Sequence, residues 1–194
     1  FEVEYSTAAL ELAGEKTFSF WTRLPAAPSG SNGFVSIGKD YDNRWYIDDD
    51  NGKGRIRMWQ VGGATSGAQF QTGEGVLTYG DNLWHHVVVT DTGSGAGGTQ
   101  VYVDGALRGT FDSFNYSGLA DDSKLRLGCR FVSTPEPMEG GLDDFVLSDT
   151  AFTATHVRAV YSLGSTAGTQ YNFHTVRLLL DDHANARDCQ YGDL

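Results

Sequence analysis

The sequence predicts an all-β protein, an antiparallel β-sandwich with one short helix near its C-terminal end. Three observations carry this. Apolar and polar residues alternate with period two in TFSFWTRL, FVSIG, RWYI, RIRMWQV, LWHHVVVT, TQVYVDG, KLRLGCRF and GLDDFVLS, the pattern of strands with one buried face. Turn signals such as SNG, DDDNGKG, SGAGG and DGALRG separate them, and no long amphipathic helix intervenes. Finally, 25 glycines against four prolines are spread without a fixed period, which suits many tight turns rather than a collagen-like or disordered chain. With 194 residues, 40% hydrophobic and 12% aromatic, the chain can bury one substantial core.

Taken in order, FEVEYS opens the chain inside a strand and without Met, which suggests a processed or excised fragment. In TFSFWTRL, parity puts Phe18, Phe20, Thr22 and Leu24 on one face and Ser19, Trp21 and Arg23 on the other. Arg44 and Tyr46 alternate with Trp45 and Ile47, and Arg55, Arg57 and Trp59 oppose Ile56 and Met58. Between these two strands DDDNGKG reads as a solvated hairpin turn. Its Gly52 is out of step with the sixth-position glycine of an EF-hand loop. In LWHHVVVT, Trp84 and His86 share one face and His85 takes the other, so the adjacent histidines cannot act as one acid-base pair. Asp104-Gly105 marks a tight hairpin turn. TATHVRAVYSLG predicts one or two helical turns, with Thr153 or Thr155 as N-cap, Val157, Val160 and Tyr161 at helical spacing, and Gly164 as the stop.

The organisation that follows is a sandwich over residues 1–164 and a C-terminal extension over 165–194. Val176, Leu178 and Leu180 alternate, which predicts a strand over 173–180. It would cover an open sheet edge of the sandwich or of a neighbouring subunit, since a solvated tail would expose its leucines. Cys129 and Cys189 have no CxxC spacing, which removes a zinc ribbon or a thioredoxin-type motif. Either they pair, closing a loop of about 60 residues worth about 4 kcal/mol in the chain-entropy model, or they are two buried thiols.

Fourteen basic against 25 acidic residues give a net charge of −11. That excludes a duplex nucleic-acid binder, which needs a basic surface, and no apolar run reaches the roughly 20 residues of a membrane span. Against this acidic background, parity gathers aromatics and arginines. Trp21 with Arg23, Arg44 with Tyr46, and Arg57 with Trp59 would share one surface if their three strands are neighbours. Such a surface suits an anionic glycan, through ring stacking and charge-assisted hydrogen bonds. His85 is a further ligand candidate, and with Arg44, Tyr46 and Arg57 it holds the residue types of a polysaccharide lyase. Glu139, Asp143 and Asp144 lack the same-face spacing that a paired-carboxylate glycosidase requires, so no catalytic residue is assigned.

The order FSFWTRL, WHHVVVT, VYVDGALRG, LRLG and GGLDDFVLSDTAFTATHVRAVY resembles the laminin-G-like branch of the concanavalin A-like lectin and glucanase superfamily, over about Phe1 to Tyr161. The resemblance implies a concanavalin A-like jelly roll acting as a non-catalytic extracellular binding module, with carbohydrate as its partner. It also implies a calcium ion near the strand bearing Asp143 and Asp144, the natural ligand candidates. The alternatives are a structural or assembly protein (a coat, adhesin or viral decoration subunit) that forms homo-oligomers, and third a polysaccharide lyase. The expected location is extracellular, on a cell surface or on a virion surface.

Overall fold

The computed structural model describes residues 2–4, 14–28, 30–38, 44–61, 69–114, 124–130, 136–166 and 186–187. Two antiparallel sheets pack face to face. The smaller has five strands in the order β13-β2-β7-β8-β9, from Gly141–Ser148, Lys16–Arg23, His85–Asp91, Thr99–Val103 and Ala106–Phe111. The larger has seven in the order β14-β1-β10-β3-β4-β5-β6, from Ala186–Arg187, Glu2–Glu4, Lys124–Leu127, Asn32–Gly38, Arg44–Asp49, Ile56–Val61 and Gln69–Gln71. Cys129–Arg130 (β11) and Glu136–Pro137 (β12) form a separate two-stranded ribbon.

Alternation builds the core. Phe18, Phe20, Val87, Val89, Val101 and Val103 of one sheet meet Val35, Ile37, Trp45, Ile47, Met58 and Leu125 of the other, all at most 1% exposed. The rings of Phe18 and Trp45 lie 4.7 Å apart across the interface. Each large side chain buried there contributes roughly 2–3 kcal/mol relative to exposure. The Asp-Gly hairpin forms as expected: Asp104 and Gly105 take φ of 53° and 73°, left-handed values for which glycine carries no steric penalty.

The second face of the smaller sheet carries helix α1, Ala154–Thr166. Thr153, not Thr155, is its cap, since Thr153 Oγ1 accepts the His156 amide at 3.3 Å and its carbonyl accepts that of Val157 at 3.0 Å. Val157 packs on Val88 and Tyr102 with Phe152 and Ala154 beside it. At 13 residues the helix is longer than the expected one or two turns, and it runs through Gly164. That glycine is not a stop. It is where the helix touches the sheet, since a Cβ there would lie 2.2 Å from the Trp21 indole.

Two further differences concern local geometry. DDDNGKG does form the β4–β5 hairpin, with Asn51 and Gly52 at φ 52° and 69°, but Asp48, Asp49 and Asp50 are buried rather than solvated. The reason is local pairing: Arg57 binds Asp48 and Asp50, and the Tyr79 hydroxyl donates to Asp49. In β13 a bulge interrupts the pairing with β2 between Asp143 and Val146, and Asp144 takes φ 49°, so strict alternation fails at the two aspartates. At the C-terminal end, Ala186–Arg187 pair with Val3 and Glu2 of the same chain. The strand expected over 173–180 lies outside the described residues.

Candidate functional site

The outward face of the larger sheet brings four of the sequence-derived candidates together. The β4–β5 hairpin sets Tyr46 opposite Trp59 and Asp48 opposite Arg57, while the intervening Trp45, Ile47 and Met58 point into the core. The Tyr46 and Trp59 rings are 6.1 Å apart and tilted by 47°. Guanidinium groups flank both: Arg44 lies 5.8 Å and Arg130 5.4 Å from the Tyr46 ring, and Arg57 lies 5.4 Å from Trp59, all within cation-π range.

One carboxylate anchors this set. Arg57 Nε and Nη2 donate to the two oxygens of Asp48 at 2.8 and 2.5 Å, and Arg130 Nη1 adds a contact at 3.1 Å from the separate ribbon. Arg57 also reaches Asp50 Oδ1 at 2.8 Å and Ser31 Oγ at 3.2 Å. A bidentate fork fixes the guanidinium plane as well as its position. Burial pushes Asp48 up to about 6 against the pull of Arg57 and Arg130. Burial, and next the Asp48 charge, likewise raise the Tyr46 hydroxyl. Near neutral pH the face therefore holds ionised Asp48, neutral Tyr46 and three arginines.

Access to this face is graded. Arg44, Tyr46 and Arg57 are buried, Trp59 is half-buried, and Gln69 and Gln71 on β6, paired with Trp59 and Arg57, are exposed. A ligand that reaches this face over β5 and β6 would meet half-buried Trp59 before the buried Tyr46, Arg44 and Arg57. Among the described residues the Trp59 indole N–H has no hydrogen-bond partner, which leaves that donor's desolvation uncompensated by them.

The remaining candidates fall elsewhere. Trp21 and Arg23 do not join this face, because β2 pairs with β7 and β13 in the other sheet and its outward side faces away from β4 and β5. Trp21 packs against both His86 and Tyr161, at 4.9 and 5.9 Å, and those two rings are themselves 6.3 Å apart, all three beneath α1. Arg23 instead lies 5.2 Å over the ring of Trp84, an exposed tryptophan that parity had treated only as a strand residue.

His85 sits between two carboxylates. Its Nδ1 is 2.8 Å from Asp104 Oδ2 and its Nε2 is 3.0 Å from Asp81 Oδ2. The hydrogen bond to Asp104, supported by Asp81, raises its pKa against burial. As parity indicated, His86 faces the other way. Its Nε2 shares a 2.8 Å hydrogen bond with Ser19 Oγ, its Nδ1 has no partner among the described residues, and burial lowers its pKa to about 4. A neutral ring buried under a helix is a packing element.

At the bulge, Asp143 Oδ1 accepts the Asp144 amide at 2.9 Å. Burial, then repulsion from Asp143, push Asp144 up to about 6, a strain that a cation would relieve. Among the described residues no group of three or more His, Cys, Asp or Glu side chains forms a metal cluster. A calcium ion at Asp143 and Asp144 would thus draw its remaining oxygens from carbonyls and water. Cys129 is buried on β11, and Cys189 lies outside the described residues.

Comparison with known proteins adds the following. The family model of the concanavalin A-like lectin/glucanases superfamily matches residues 2–158. Among curated protein sequences none matches the chain. Among solved structures it is similar to the CBM40 of the Ruminococcus gnavus IT-sialidase bound to α2,3-sialyllactose, with a TM-score of 0.65 and 14% identity over 81% of this chain and 91% of that one. It is also similar to the binding domain of botulinum neurotoxin serotype G, with a TM-score of 0.58 and 15% identity over 80% of this chain and 37% of that one. A third similar structure is a botulinum neurotoxin type C whose cell entry depends on two ganglioside molecules, with a TM-score of 0.61 and 14% identity over 84% and 39%. This chain thus spans well under half the length of the toxin chains.

Proposed function

The chain belongs to the concanavalin A-like lectin/glucanase superfamily, and on that premise we propose that it is a non-catalytic carbohydrate-binding module that takes an anionic glycan on the outward face of β4, β5 and β6. The observation that carries the reading is the placement of Tyr46 and Trp59 with Arg44, Arg57 and Arg130 on one face of a protein of net charge −11. Half-buried Trp59 offers its ring to pyranose C–H groups, while buried Tyr46 and Arg57, whose donors are held by Asp48, Asp50 and Ser31, fix that ring in place. Three arginines against Asp48 and Asp50 leave the face positive toward an acidic sugar. The sialyllactose bound to the CBM40 and the gangliosides named for the type C toxin support carbohydrate as the ligand class.

The test is Trp59→Ala against a glycan array and calorimetry with sialylated oligosaccharides. Binding falls at least tenfold, as for an aromatic hot spot, while the melting curve holds within a few degrees because the ring is only half-buried. A wild-type protein silent on a broad array sinks the reading.

Calcium at Asp143 and Asp144 and an extracellular, cell-surface or virion-surface location complete the proposal. A cation bound only by the folded state stabilises it by mass action. Excess chelator should therefore lower Tm. An unchanged melting curve together with no metal by elemental analysis removes calcium from the proposal.

A further inference from the structure

The chain has four tryptophans, and their environments differ. Trp45 is fully buried, Trp21 and Trp59 are half-buried, and Trp84 is 39% exposed beside Leu83 at 61%. An exposed indole forfeits the stabilisation that burial would give it, so its surroundings need an account.

Those surroundings hold it still. The ring seats against Gly141, where a Cβ would lie 2.7 Å from its Cη2. Asp81 Oδ1 accepts the Leu83 amide at 2.9 Å, and Asp81 Oδ2 meets His85, which is tied in turn to Asp104. Asn82 takes a left-handed φ of 59°, the turn conformation that asparagine adopts more readily than most residues with a side chain. The segment before β7 is thus braced on both sides of Trp84 while the ring stays open to solvent.

Arg23 supplies the second half. It is half-buried, and its guanidinium lies over the Trp84 ring. Unlike Arg55, Arg57 and Arg130, each paired with an aspartate, Arg23 has no carboxylate partner among the described residues. A guanidinium stacked on an indole keeps its in-plane N–H donors available. A fixed, exposed ring beside an uncompensated cation is complementary to a pyranose bearing a carboxylate.

We propose that Trp84 and Arg23 form a second glycan subsite, on the other sheet of the sandwich from Trp59, that takes an acidic sugar with its ring on the indole and its carboxylate on the guanidinium. This inference rests on the glycan-binding reading. The two sites lie on different sheets, so one chain could engage two sugars of a polymer or two separate chains, and the gain in avidity would depend on their spacing.

The test uses ¹⁵N-labelled protein and the indole N–H resonances of its four tryptophans, assigned with Trp84→Phe and Trp59→Phe and titrated with α2,3-sialyllactose and, separately, lactose. The expected result is a saturable shift of the Trp84 resonance with sialyllactose, weakened about tenfold in Arg23→Gln through loss of the charge-assisted pair. A titration that moves Trp59 and leaves Trp84 in place overturns the second subsite and keeps the glycan reading. Movement of Trp84 alone supports the second subsite and removes the β4–β6 face as a glycan site. No movement of either resonance overturns both. Equal shifts with the two sugars, unaffected by Arg23→Gln, overturn the assignment to an acidic sugar. A Trp84 resonance that broadens with phosphatidylcholine vesicles and ignores both sugars overturns the proposal in favour of a lipid surface.

Discussion

His86 gives the sharpest quantitative expectation. The ring is 1% exposed, stacked on Trp21, bonded to Ser19 through Nε2 and, among the described residues, without a partner at Nδ1. Protonation would place a second N–H where no described residue accepts it, and burial lowers the pKa from 6.5 to about 4. The unfolded chain has no such constraint. It takes up the proton below pH 6.5, whereas the folded chain waits until pH 4, so the contribution is fully present above 6.5 and is lost as pH falls toward 4. Such a difference corresponds to about 3 kcal/mol when complete, and about 2 kcal/mol by pH 5.

Other groups pull the opposite way. Asp48 and Asp144, both raised to about 6, bind protons more readily folded than unfolded, so each adds stability as pH falls through 6. His85, raised by Asp104 and Asp81, contributes most below its unfolded pKa and loses its contribution as pH rises through its folded value. The wild-type profile is therefore flattened, and the informative quantity is a difference. Urea unfolding of wild type and His86→Gln is compared at pH 7.5 and 5.0. Gln keeps a polar atom for Ser19 but carries no titrating proton. The stability gap between the two proteins should shift by about 2 kcal/mol in favour of the variant at the lower pH. Parallel profiles across that range would refute the argument from burial.

Gly164→Ala should lower stability by about 1–3 kcal/mol by overpacking. The substitution favours the helix by up to about 1 kcal/mol, but its Cβ would lie 2.2 Å from Trp21. A thermal melt checks this, and a raised Tm contradicts the packing. Asp48→Ala leaves Arg57 and Arg130 in a buried site without their shared carboxylate, at a cost of about 3–5 kcal/mol. Part of that loss should return in Asp48→Ala/Arg57→Met, and equal stabilities for the single and double variants would show that the ion pair is not the cause.

What the sequence revealed depended on distance along the chain. Period two marked the strands, and parity placed Arg44, Tyr46, Arg57 and Trp59 on one face because β4 and β5 are joined by a short hairpin with fixed register. No such link ties β2 to either sheet. Trp21 meets His86 across a pairing between residues 65 apart in sequence, and parity cannot say which sheet a strand will join. The burial of Asp48 was hidden for the same reason, since one of its arginines, Arg130, is 82 residues away. Gly164 shows a different ambiguity. A glycine near the end of a helical pattern reads as a stop, yet glycine also serves where another group must approach closely, and only the position of Trp21 decides between them.

Trp84 belongs with these cases. Alternation assigned it to a strand face, but β7 begins one residue later, at His85. One position outside the ladder, a side chain answers to loop geometry rather than to the pleat. Around it Asn82 turns left-handed and Asp81 reaches forward to His85, and neither is encoded in hydrophobic period. Period two thus locates side chains along the strands, as it does Tyr46 and Trp59, and is silent on those that flank them, as Trp84 flanks β7.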